Sequence, residues 1–254
     1  MELMFAVESV VTVLLVSSRI LATLLVAPPF NGGMVPVRIR LGLAVAIGLL
    51  VASGPVDRFD VPLELPTLVT AIASQVVAGL IFGFFVQLLL SAFQMAGSII
   101  DLSAGLSAGS LYDPMTQSQV APVGRIYQLV SMAALLTLDG HLLIVRGVIR
   151  SYEVAPIGLV DTAVLGASLS RGIGQLLIAA LEVGFPVLAA LMLTEIALGI
   201  ASRAAPRLNI LAIGFGVKSM VLFFALGLGL PLLADATINL LDLGLRSGSS
   251  LLRG

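Results

Sequence analysis

The chain has 254 residues, of which 59% are hydrophobic and 11% charged, with a mean hydropathy of +1.14 and a formal net charge of −1. Soluble domains carry about 25% charged residues, so a water-soluble fold of this length is short of polar surface, whereas a bilayer accepts an apolar exterior. The near-neutral charge leaves no basic footprint for nucleic acid, the absence of cysteine excludes disulfides and thiolate metal sites, and a single histidine, His141, gives no basis for a histidine-rich metal site.

A spanning helix needs about 20 mainly apolar residues. The N-terminus has Glu2 and Glu8 and no base before Arg19. A cleavable signal peptide wants a basic start, so the first apolar segment is expected to stay as a membrane helix. It runs from Val10 to Ala27, interrupted only by Arg19, and ends at Pro28-Pro29 and the loop Asn31-Gly32-Gly33. A second, shorter candidate runs from Leu41 to Val56. The third, Leu65 to Ile100, contains no charge at all. As one helix it measures roughly 54 Å against a bilayer core of about 30 Å, so it tilts, breaks or extends beyond the lipid.

A Gly/Ser-rich stretch from Gly97 to Ser110, then Asp113-Pro114, reads as a loop or broken helix. The fourth candidate, Ile126 to Val148, holds Asp139, His141 and Arg146. The fifth, about Ile173 to Ile200, holds Glu182, Pro186 and Glu195; the sixth, Leu208 to Ala234, holds Lys218. The fold class is therefore all-α: a polytopic membrane protein of about six apolar helices, one membrane domain over residues 1–254. Arg38 and Arg40 in the first loop and Arg203 and Arg207 in the fifth place those loops in the cytoplasm and the N-terminus outside.

Two sets of polar residues stand out. Gln87, Ser91, Gln94, Ser98 and Asp101 follow one another at spacings of 4, 3, 4 and 3, which places all five on one helical face. Lipid would leave them unsatisfied, so the stripe faces water along a translocation path, or protein in a polar seam between helices. Gly79 and Gly83 on the same helix suit close helix contact. The intramembrane charges Arg19, Asp139, His141, Glu182, Glu195 and Lys218 are costly in lipid and need partners. Glu182 and Glu195 lie about 140° apart on an ideal helix and do not form one site. The preferred reading is a buried network of Asp139, His141, Arg146, Glu195 and Lys218 that holds helices together rather than a proton relay.

Enzyme motifs are missing. Gly214-Phe215-Gly216-Val217-Lys218-Ser219 lacks phosphate-loop spacing, and there is no HExxH or GxSxG. No catalysis, cofactor or metal is expected.

Several segments, in order, resemble the FliR family, the flagellar export-gate subunits of type III secretion. They are Pro36-Val37-Arg38; Gln94-x2-Gly97-x3-Asp101-x3-Gly105-Leu106-Ser107; Asp113-Pro114; Asp139-Gly140-His141; Ser151-x4-Pro156; Glu195; Ala205-Pro206-Arg207-Leu208-Asn209-Ile210; and Gly214-Phe215-x2-Lys218. The match runs from about Arg19 to Pro231. Ser103 stands where that family often has glutamine, Arg207 where glutamine is usual, and Gly216 where proline is common. The virulence-secretion SctT family shares much of the pattern.

The resemblance implies a non-catalytic subunit of helical hairpins within a helical export-gate assembly in the bacterial inner membrane, at the flagellar basal body. The implied partners are FliP-like, FliQ-like, FlhB-like and FlhA-like proteins, membrane lipid and unfolded flagellar export substrates. It further implies a FliP-like N-terminal part, residues 1–125, with a plug loop over 105–122. The C-terminal part, 126–254, would end in a FliQ-like hairpin over about 172–234. Leu111, Tyr112, Asp113, Pro114 and Met115 would belong to the plug of the closed pore. Arg203, Pro206, Arg207 and Asn209 would form a cytoplasmic turn that meets the FlhB-like partner. The competing readings are a virulence export-gate subunit, a small-solute or proton-coupled transporter, and a scaffold without a channel.

Overall fold

The computed structural model describes residues 2–31, 35–53, 64–106, 121–154, 162–205 and 210–251. Those residues form seven helices: α1 Glu2–Val26, α2 Val37–Ala52, α3 Leu65–Ala104, α4 Pro122–Thr137, α5 Gly140–Val154, α6 Thr162–Ala204 and α7 Ile210–Leu251. Four are long and apolar enough to cross a membrane, over Val7–Val26, Leu65–Ala104, Ile173–Ala204 and Ile213–Asp242; α4 and α5 make a fifth span only when taken together. The protein is an all-α polytopic membrane protein.

Local chemistry explains the boundaries. Pro66 and Pro122 lie in the first turns of α3 and α4, where a missing N–H removes no helical bond. The 40 residues of α3 form one uninterrupted helix, about 60 Å at the usual rise. Of the outcomes open to so long an apolar run, this excludes a break. The helix ends at Gly105, whose φ of 80° suits a residue without a Cβ. There the Gly105 N–H bonds to the Leu102 carbonyl at 3.1 Å and the Leu106 N–H to the Asp101 carbonyl at 3.0 Å, a Schellman ending.

The structure changes four expectations. Gly97, Ser98 and Ser103 are helical, because an apolar helix continuing through them keeps its backbone bonded, and the loop starts only at Gly105. The fourth candidate is two helices, broken at Asp139 with φ 56°, a left-handed conformation that aspartate tolerates better than most residues. Arg38 and Arg40 stand in the first turn of α2, not in a loop. Among the described residues the second candidate is a helix of 16 residues, shorter than the four apolar spans.

The chain divides into two compact units. One comprises 1–88, 139–173 and 241–254, the other 89–138 and 174–240. The first is built on α1. Gly79 and Gly83 of α3 bring its backbone against Arg19, Ala22, Thr23 and Val26, and the Thr23 hydroxyl donates to the Gly79 carbonyl at 3.1 Å. In the second unit Gly97 of α3 meets Gly124 of α4, and Ala96 meets Gly184 of α6.

Candidate functional site

Arg19 is the polar centre of the first unit. It is 1% exposed and sits in the middle of an apolar helix, where an isolated guanidinium would be very costly. The α5 helix supplies its surroundings. Arg19 Nη1 donates to the Ser151 carbonyl at 3.2 Å and to Ser151 Oγ at 3.3 Å. Its guanidinium carbon lies 4.3 Å from the centroid of the Tyr152 ring, a cation–π contact worth about 2 kcal/mol when desolvated. The Tyr152 hydroxyl in turn donates to the Val16 carbonyl at 2.8 Å, one turn from Arg19. One arginine thus fastens α1 to α5.

Asp101 has the corresponding role in the second unit. It is fully buried, and its two carboxyl oxygens accept the backbone N–H groups of Val123 and Gly124, each at 3.1 Å. These are orphan donors in the first turn of α4, and a carboxylate at a helix N-terminus also meets a favourable dipole. The N-cap residue itself, Ala121, makes no side-chain cap bond. Asp101 therefore ends α3 with its main chain and starts α4 with its side chain.

The rest of the polar stripe has mixed surroundings. Gln87 Oε1 accepts from Asn31 Nδ2 at 2.7 Å. Ser91 is half-buried, Gln94 is exposed, and Ser98 donates back to the Gln94 carbonyl at 2.9 Å. A continuous water-facing row is not what these contacts describe.

The expected buried charge network is not assembled within the single chain. Asp139 and Arg146 are exposed and His141 is half-buried. Asp139 serves the backbone: its carbonyl accepts the Leu142 N–H at 2.9 Å across the break before α5. Glu195 and Lys218 do meet, at 3.2 Å between α6 and α7, but the Glu195 side chain is 67% exposed. Arg203 is exposed in the last turn of α6. Pro206, Arg207 and Asn209, and the plug candidates Leu111, Tyr112, Asp113, Pro114 and Met115, lie outside the described residues. Among the described residues no cluster of histidine or carboxylate could hold a metal.

The clusters around Arg19 and Asp101 are built for precise helix packing, and a family model decides which helical proteins share the pattern. The model described as bacterial export proteins, family 1, matches residues 10–243. The chain belongs to that family. Its relatives include the flagellar biosynthetic protein FliR of Pectobacterium carotovorum subsp. carotovorum, 32% identical over 203 residues, covering 78% of this chain and 76% of the relative. FliR of Escherichia coli strain K12 is 31% identical over 201 residues, with the same coverage. The Yop proteins translocation protein T of Yersinia pestis is 25% identical over 212 residues, 82% of this chain and 81% of the relative. The stretch shared with the bacterial export proteins includes both helix-fastening clusters and the segments 107–120 and 206–209.

Sequence reasoning noticed Arg19 and Asp101 but missed their partners. Ser151 and Tyr152 stand 132 and 133 positions from Arg19 in the chain, beyond any helical periodicity. Asp101 left one trace: α4 opens on Ala121-Pro122 with no local capping side chain, so its cap had to come from elsewhere.

Proposed function

We propose that this chain is a subunit of a flagellar type III secretion export gate in the bacterial inner membrane. With FliP- and FliQ-like proteins it forms the closed, gated channel for unfolded flagellar proteins, working beside FlhA- and FlhB-like proteins. Membership of the bacterial export family, with FliR relatives at 32% and 31% identity over most of both chains, carries the reading. The packing agrees with it. Only 33% of the apolar window of α6 and 22% of that of α7 are buried, so both helices keep apolar faces for lipid or other subunits. On this reading residues 1–125 form a FliP-like part and about 172–234 a FliQ-like hairpin. Leu111 to Met115 belong to the plug, and the turn with Arg203 and Arg207 faces the cytoplasm.

The second reading is a virulence export gate, favoured by the 25% identity to the Yop translocation protein T. Deleting the gene from its own organism separates the two. The flagellar reading expects cells that neither swim nor secrete filament subunits, with both restored by the full-length chain. A deletion strain that swims normally refutes it, and loss of virulence-type secretion alone selects the second reading.

A further inference from the structure

Within the second unit, α4, α6 and α7 line an open cavity of about 270 Å³. Most of its wall is apolar, with Val183 and Val187 on α6 and Leu232 and Leu233 on α7. Its polar lining is one-sided. Among the described residues Glu182, itself exposed, is the only charged one on the wall, and no lysine or arginine lines it. Among the described residues Glu182 has no ion-pair partner. Pro186 also lines the cavity; it has no N–H, so the Glu182 carbonyl four residues earlier is left without its helical donor. Tyr127, 1% exposed, lines it too. Asn239 adds an amide.

The described lining therefore offers the Glu182 carboxylate and the Asn239 amide, both exposed in the single chain, beside Tyr127, and no lysine or arginine. What completes it is a cation with several donors and an apolar stem. A guanidinium carries five N–H donors in a planar fork, an ammonium three. Leu181, Phe185 and Leu228 are exposed beside the lining residues, at 55%, 67% and 66%, and Leu232 in the wall is 58% exposed, which gives the site an apolar margin suited to a crossing helix. We propose that this cavity receives an arginine side chain presented by a membrane helix of a partner subunit, and that this contact locks the chain into its assembly. The inference rests on the export-gate reading, which supplies the partner.

The test uses the full-length tagged chain in its own strain, with Glu182→Gln and Gly229→Leu as variants. At Gly229 a Cβ would meet only Val187 Cγ2, at 3.9 Å, so leucine fills the cavity without a backbone clash and leaves the carboxylate in place. Both variants are expected to lower the yield of assembled complex about tenfold or more, the scale of losing one partner of a desolvated charge pair. The variant chains purified alone should melt as the wild type does. Selection for restored motility from Glu182→Arg should yield an arginine-to-acid replacement in a membrane helix of another subunit. A photo-crosslinking residue at Leu232 should attach to that same helix. Wild-type yield of either variant, suppressors confined to this chain, or crosslinks to lipid alone overturns the proposal. Should Glu182→Gln fail to fold alone, Gly229→Leu decides. If the wild-type chain co-purifies with no other subunit, the export-gate reading fails and this proposal with it; a wild-type chain that assembles together with variants that assemble equally well overturns this proposal alone.

Discussion

Replacing Gly79 by alanine is the sharpest probe of the packing that Arg19 sits in. A Cβ at Gly79 would lie 2.9 Å from Ala22 Cβ and 3.0 Å from the Arg19 carbonyl carbon, and would collide with the Arg19 carbonyl oxygen. Two of these atoms are backbone and cannot rotate away. The helices α1 and α3 must separate by about 1 Å to restore ordinary contact. Overpacking of this kind costs about 1–3 kcal/mol. The separation also weakens the Thr23–Gly79 hydrogen bond, and such bonds between membrane helices are worth about 0.6–1.7 kcal/mol. Alanine returns up to about 1 kcal/mol of helix propensity, leaving a net loss of about 1–3 kcal/mol. Gly42→Ala is the control, because nothing stands within 4 Å of a Cβ there and it belongs to the same unit. It receives the propensity gain without the clash. Unfolding of the purified chain in mixed detergent micelles, followed by helicity, compares the two. Gly79→Ala as stable as Gly42→Ala refutes the packing argument.

Asp101→Ala should speed hydrogen exchange of the Val123 and Gly124 amides about tenfold or more, because a lost cap costs about 0.5–2 kcal/mol and each lost bond to a charged acceptor about 1.5–3; Asp101→Asn, which keeps one acceptor oxygen, should recover part of it, and unchanged exchange in the alanine variant contradicts the capping role. Lys218→Met should lower the stability of the detergent-purified chain by about 1 kcal/mol, the scale of a polar contact between membrane helices; a loss above about 2 kcal/mol would show the pair to be buried. Deleting Ser110 to Met115 should leave the complex assembled but raise ion conductance across the membrane, and an assembled deletion mutant with wild-type conductance removes the plug from the proposed function.

Hydropathy made the helices legible because the signal is local and long. The uncharged run after Leu65 is one helix, and the glycines at 79 and 83 mark a close helix crossing. Where the reading went astray, the deciding interaction was distant or confined to one residue. Asp139-Gly140 is a turn signal, yet the apolar residues on either side argued for one continuous span. Asp101 sits in step with the glutamines and serines before it, so periodicity grouped it with them, whereas its carboxylate serves a helix that begins 21 positions later. Tyr152 reads as an ordinary aromatic near a helix end, and only the fold reveals that its ring faces a buried guanidinium. Asp139 and Arg146, read from their depth in an apolar segment as buried, are exposed in the single chain.

The central claim is that this chain works only as part of an export gate. Native mass spectrometry of the tagged full-length chain, purified in mild detergent from cells that co-express its candidate partners, tests it most directly. The account predicts one complex of defined mass that contains FliP-like and FliQ-like subunits and falls apart when this chain is omitted. A stable monomer that transports a small solute in liposomes would contradict it.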